Sequence, residues 1–228
     1  MHTTTAATHP QHCDVLVIGG GPAGSTIAPL LAERGYHVVV LEKAHHPRFH
    51  IGESLLPANM PLFDRLGVGD EIRSIGMEKW GAEFVSPHHT HKQVFDFADA
   101  WDKTLPMAYQ VPRAQFDEIL IRNAAKKGAE IHEGYRAKDV TFLPDGQGAR
   151  VTAVRDDSVQ TEWQAKFVVD ASGRDTFLPI KCRSSTVTPS TTAWRCMDIC
   201  VARRAMRARP KAISPFSGLI MAGSGLSR

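Results

Sequence analysis

The stretch from Asp14 to Glu42 constrains this chain more than any other. Asp14-Val-Leu-Val-Ile18 is a short β-branched and aliphatic run of the kind that forms a strand buried on both faces, and Gly19-Gly-Gly-Pro-Ala-Gly24 follows at once. A helix-like stretch from Ser25 to Arg34 carries Ile27, Leu30 and Leu31. Gly35 can end it, and His37 to Leu41 reads as a second buried strand closed by Glu42. A lone G-x-G-x-x-G says little, but here Gly19, Gly21 and Gly24 stand between a strand and a helix, as the motif's mechanism demands. Gly19 allows the tight turn, and Gly21 lets the backbone approach a pyrophosphate whose charge meets the helix N-terminus. Gly24 permits close packing of helix on strand. Glu42 can accept hydrogen bonds from a ribose. The candidate dinucleotide turn is therefore Gly19, Gly21, Pro22, Ala23, Gly24 and Ser25, with Glu42 beyond it.

The periods further along continue an α/β pattern. Leu55 to Leu66 is a helix candidate, and Ala82 to Ser86 with Gln93 to Phe97 resembles a strand pair. Arg113 to Lys127 places Phe116, Ile119, Leu120 and Ala124 at helical spacing. Strands are expected over Glu130–Tyr135, Ala137–Leu143, Ala149–Arg155 and Thr161–Val169, with Pro144-Asp-Gly-Gln-Gly148 as a turn.

Composition excludes several classes. With 43% hydrophobic and 22% charged residues the chain can bury a core. No apolar run reaches the length of a bilayer span, and Met1 to Pro10 lacks the basic start and apolar stretch of a secretory leader, so a cytoplasmic protein without a membrane span is expected. Cys13, Cys182, Cys196 and Cys200 form no C-x-x-C pair, which argues against a disulfide framework or structural zinc. His88, His89 and His91 lack a carboxylate or cysteine at ligand spacing, so they read as a polar loop and no metal is expected.

Three further segments carry a resemblance: Pro47-Arg-Phe-His-Ile-Gly-Glu-Ser-Leu-Leu-Pro57, Val111-Pro-Arg-Ala-Gln-Phe-Asp117 and Val168-Val-Asp-Ala-Ser-Gly-Arg174. With the glycine turn they resemble the FAD-dependent monooxygenase superfamily, and the stretch from Arg48 to Val68 is most similar to flavin-dependent halogenases. The resemblance implies FAD on a Rossmann-like fold of the aromatic-hydroxylase type with an added β-sheet, here truncated. It places Glu42 and Lys43 near the adenosine ribose, and Arg48 and Arg113 near the flavin and its phosphates. Ile51, Gly52, Glu53 and Ser54 would lie beside the isoalloxazine, and Asp170 would meet the ribityl or pyrophosphate region through the turn at Gly173. No second nucleotide motif stands in the chain, so the resemblance implies a separate flavin reductase as partner. Lys79, in Gly76-Met-Glu-Lys-Trp-Gly81, matches the catalytic lysine to which these enzymes deliver an oxidised halide, chloride or bromide. The implied product is a halogenated phenol or pyrrole, free or on a carrier protein. A hydroxylase of the same superfamily and an inactive remnant are the alternatives.

The end of the chain is a different polymer. Residues 1–178 hold 18 Lys and Arg against 23 Asp and Glu, whereas residues 179–228 hold 9 against Asp198 alone. No aromatic interleaving or amphipathic period accompanies that basic charge, so a nucleic-acid partner is not expected. The W-x-W-x-I-P motif of the halogenases is missing. However, the codons for Phe216 to Arg228 can be chosen so that the neighbouring register reads FWFDHGWFWFIP, and Ala193 to Ala202 and Phe177 to Cys182 are compatible with the same shift. The expected organisation is a disordered tail over 1–13, an FAD-binding module over 14–178, and a poorly structured, out-of-register basic tail over 179–228.

Overall fold

The computed structural model describes residues 10–85, 92–101, 103–175, 177–178 and 200–202. His88, His89 and His91 lie outside them, as do Met1 to His9 and most of 179–228. The chain opens with β1 (Gln11–Ile18), α1 (Pro22–Ala32) and β2 (Val38–Glu42). It continues through α2 (Met60–Leu66), α3 (Gly69–Ile75), β3 (Met77–Lys79), β4 (Gly81–Val85), β5 (Lys92–Asp96), β6 (Ala108–Gln110) and α4 (Arg113–Lys126). The last elements are β7 (Glu130–Glu133), β8 (Tyr135–Phe142), β9 (Ala149–Arg155), β10 (Gln160–Asp170) and β11 (Cys200–Ala202). The described residues form two compact units, 10–46 with 121–178 and 200–202, and 47–120.

The first unit is one sheet in the order β7-β2-β1-β10-β9-β8. Its first four strands are mutually parallel and β10, β9 and β8 form an antiparallel meander. The long β10 gives one edge to β1 and divides the other: Gln160 to Ala165 pair with β9, and Val168 to Asp170 with β11. Burial on both faces explains the unbroken apolar runs in β1 and β2. Val15, Val17, Val38 and Val40 pack with Ala28 of α1 and Ala124 of α4, while Leu16, Ile18, Val39 and Leu41 pack with Val151, Trp163 and Val168. Alternate residues of one strand thus feed two cores, which a polar-out pattern could not do.

The second unit holds α2, α3 and two small antiparallel pairs, β3–β6 and β4–β5. Phe63 and Phe116 meet edge to face at 5.5 Å in its core, with Leu66, Ile72, Val111 and Leu120 buried. The helix expected over 55–66 begins only at Met60. Leu55 instead donates its N–H to Tyr109 O (2.9 Å), Ser54 bridges to Gln110, and Pro57 opens a short 3-10 turn. A proline is best accommodated in the first turn of a helix, and Pro61 takes that place in α2, which sets the boundary. α1 likewise starts at Pro22, not Ser25. The sequence reading overlooked α3, β3 and β6, three to seven residues each, because so few residues show no period.

Candidate functional site

At the glycine turn the backbone comes too close for side chains. Gly19 has φ +106°, and a Cβ there would stand 2.5 Å from Ala171 O. A Cβ on Gly24 would collide with the carbonyl oxygen of Gly19. Gly21 is the extended N-cap of α1, no side chain caps the helix, and its first turn has no acidic residue. The positive end of α1 thus has no side chain of its own to offset it, as an anion-binding helix end requires.

Glu42 is buried, and its carboxylate braces that turn. Oε2 accepts the Gly20 N–H at 2.6 Å and Oε1 accepts the Ala44 N–H at 2.9 Å. Ser25 Oγ donates to Gly20 O (2.9 Å), so Ser25 closes the turn from the helix side. Lys43 is drawn to Asp175, with which it forms an ion pair. Asp170, also buried, spends its carboxylate on its own loop: Oδ1 accepts the Ser172 N–H (3.0 Å) and Oδ2 the Leu178 N–H (2.7 Å). Gly173 follows at φ +66° with open space where a Cβ would stand.

The sequence reading missed a second brace behind Glu42. Glu133 Oε1 accepts from His46 Nδ1 (2.7 Å) and the His46 N–H (2.8 Å), and Oε2 accepts from Arg122 (2.9 Å). Burial pushes the Glu133 carboxyl up, but these donors outweigh it and hold it below its ordinary value. Cys13 is buried in the sheet, and burial, with Asp14 and Glu130 nearby, pushes its thiol up to about 12, which makes it a packing residue and a poor nucleophile.

In the second unit, Ile51 to Ser54 lie on a segment stitched to β6. Val111 donates its N–H to Glu53 O (2.9 Å), and Gln110 Nε2 donates to Glu53 Oε2 (3.3 Å). Ile51 is largely exposed. Arg113 is turned inward onto Asp117 and the carbonyls of Ile51 and Gly52, and Arg48 stands 3.6 Å from the same carboxylate. Asp117 was legible only as the i, i+4 partner of Arg113 on one helix face. Lys79 ends β3, with its Nζ 5.4 Å from the Phe97 ring centroid. Burial lowers its ammonium pKa from the ordinary lysine value. The ring is brought there by the Phe97 N–H donating to Trp80 O (2.8 Å).

A family described as FAD binding domain matches residues 12–218. The chain belongs to that family. FAD is accordingly the cofactor. This FAD-binding chain is 38% identical over 177 residues to "Tryptophan 2-halogenase" of Chondromyces crocatus, covering 72% of this chain and 31% of that protein. It is 36% identical over 183 residues to "1H-pyrrole-2-carbonyl-[peptidyl-carrier protein] chlorinase" of Pseudomonas fluorescens, covering 72% and 40%. Among solved structures, the myxobacterial chondrochloren halogenase CndH superposes with a TM-score of 0.66 at 39% identity, covering 74% of this chain and 39% of that one. The chain thus spans about a third of the length of the curated relatives it matches. Among the described residues no helix is long and apolar enough to cross a membrane.

Proposed function

We propose that this chain is the FAD-binding part of a cytoplasmic flavin-dependent halogenase acting on an electron-rich aromatic of the phenol or pyrrole type, free or carrier-bound. Bound FAD, reduced by a separate reductase, supplies the activation of dioxygen by which chloride or bromide becomes an electrophilic halogen. The remaining tasks fall to the protein. The turn from Gly19 to Ser25 receives the pyrophosphate at the N-terminus of α1, and Glu42 holds that turn while facing the ribose.

Lys79 carries the halogenase reading. Its ammonium sits against an aromatic ring with its pKa lowered by burial, so an appreciable fraction of free amine exists at lower pH than for an ordinary lysine. As the ammonium it donates a hydrogen bond to hypohalous acid. As the amine it takes the halogen, forming an N–halogen bond and releasing water. Lys79→Ala, in the polypeptide read on in the shifted register and supplied with reduced FAD, oxygen and chloride, is expected to consume oxygen without halogenating. Lys79→Arg should not restore product, because a guanidinium stays charged. Halogenation within about threefold of the unsubstituted enzyme, under about 0.7 kcal/mol in barrier, would remove Lys79 from the chemistry. A hydroxylated aromatic in place of a halogenated one would mark the chain as a hydroxylase.

Residues 179–228 belong to the same proposal as a segment read out of register after about Leu178. The change in charge balance and the W-x-W-x-I-P motif permitted in the neighbouring register support it. The DNA around codon 178 decides it: a sequence that does not stay open in the shifted register refutes the idea.

A further inference from the structure

Arg113, by the family resemblance a flavin and phosphate contact, is otherwise engaged. It is the first residue of α4. Its Nε donates to Asp117 Oδ1 at 2.8 Å and its Nη2 to Asp117 Oδ2 at 3.0 Å, a bidentate pair one helical turn apart. Its Nη1 donates to the carbonyls of Ile51 (2.9 Å) and Gly52 (3.1 Å). A guanidinium has five N–H donors in a fixed fork. Four hydrogen bonds leave one, too few for the two-pronged grip by which arginine holds a phosphate. The Arg113 side chain is 10% exposed and that of Asp117 0%. Arg48, 3.6 Å from Asp117, adds a second cation to the same carboxylate.

The receiving end of this chain of bonds is a segment whose backbone shape calls for glycine. Gly52 has φ +105°, a conformation that L side chains rarely adopt, and a Cβ there would stand 3.2 Å from Arg113 Nη1. Two carbonyls in succession therefore point at one guanidinium, through a backbone shape that the following residues do not impose. Glu53 and Leu55 are fixed separately by Val111 and Tyr109. From outside this loop the clamp on Ile51 and Gly52 comes from Arg113 of α4, while within it His50 Nδ1 stands 2.9 Å from Ile51 O.

We propose that Asp117 and Arg113 form a positioning pair that sets the Ile51–Gly52 backbone for the flavin ring system, with Arg113 acting through those carbonyls and not as a phosphate ligand. This rests on the FAD reading and on the resemblance by which Ile51 to Ser54 would lie beside the isoalloxazine, and it adds Asp117 to them. The test uses the 228-residue chain with Arg113→Lys, which keeps the charge beside Asp117, and Gly52→Ala, which disturbs the same backbone from the other side. FAD and ADP are titrated separately, because ADP reports the pyrophosphate and ribose contacts without the ring. In each variant FAD affinity is expected to fall about tenfold or more, the visible spectrum of bound flavin to change, and ADP affinity to stay within about twofold. ADP affinity falling in parallel with FAD affinity in Arg113→Lys would overturn the proposal and make Arg113 a phosphate ligand. Unchanged FAD affinity and spectrum would overturn it as well. An unsubstituted chain that holds neither nucleotide would instead overturn the FAD reading and this proposal with it.

Discussion

Glu42→Gln separates two roles that one carboxylate can hold. If Glu42 were only a ribose ligand, the substitution would weaken nucleotide binding and leave the empty protein unchanged. The structure predicts otherwise, because both oxygens accept backbone N–H groups, at 2.6 Å from Gly20 and 2.9 Å from Ala44, on a residue only 4% exposed. A glutamine of the same shape keeps one acceptor and turns an NH2 group toward the other N–H, where two donors face each other. The loss is one hydrogen bond to a charged group plus one buried N–H left without an acceptor, together about 3 kcal/mol. Urea unfolding of the nucleotide-free chain measures it, with the fluorescence of buried Trp163 reporting the sheet. The midpoint should fall with little change in slope. A loss under about 0.5 kcal/mol, within the ordinary range for surface substitutions, alongside weakened FAD binding, would show that the brace contributes nothing and that Glu42 serves the ribose alone.

Two other outcomes follow from the titrating groups. Lys79, whose pKa burial lowers, should react with trinitrobenzenesulfonate at lower pH than Lys166, whose pKa its hydrogen bond to Asp14 raises; an equal or higher midpoint for Lys79, read by peptide mass mapping, would refute the desolvation. For Glu133 the folded pKa lies below the ordinary 4.5, so its contribution is present above about that pH and disappears as pH falls through the folded value. Glu133→Gln should therefore cost about 1–2 kcal/mol at pH 7, and the gap from the unsubstituted protein should narrow below pH 4.5; a gap independent of pH would refute it.

The sequence read well where one physical requirement dominated. Burial on both faces of a sheet leaves no place for polar residues in β1 or β2, so Val15 to Ile18 and Val38 to Leu41 spell strands by themselves. Close backbone approach admits only glycine at 19 and 24, so the dinucleotide turn is visible in one dimension. The amphipathic spacing in α4 and the acid at the end of β2 needed no tertiary information either. Elements shorter than two periods were not legible, which is why β3 and β6 escaped although β3 carries Lys79.

Which partner each polar side chain takes was left to the tertiary structure. An arginine reads the same in sequence whether it meets a phosphate or a buried aspartate. Only the packing of the second unit turns Arg113 onto Asp117 and the Ile51 and Gly52 carbonyls. Only the return of β10 beside β1 brings Asp175 to Lys43 and sets Ala171 against Gly19. Residue type and period fix the elements because they act through local geometry. Hydrogen-bond partners are set by which elements meet, and that depends on contacts between residues far apart along the chain.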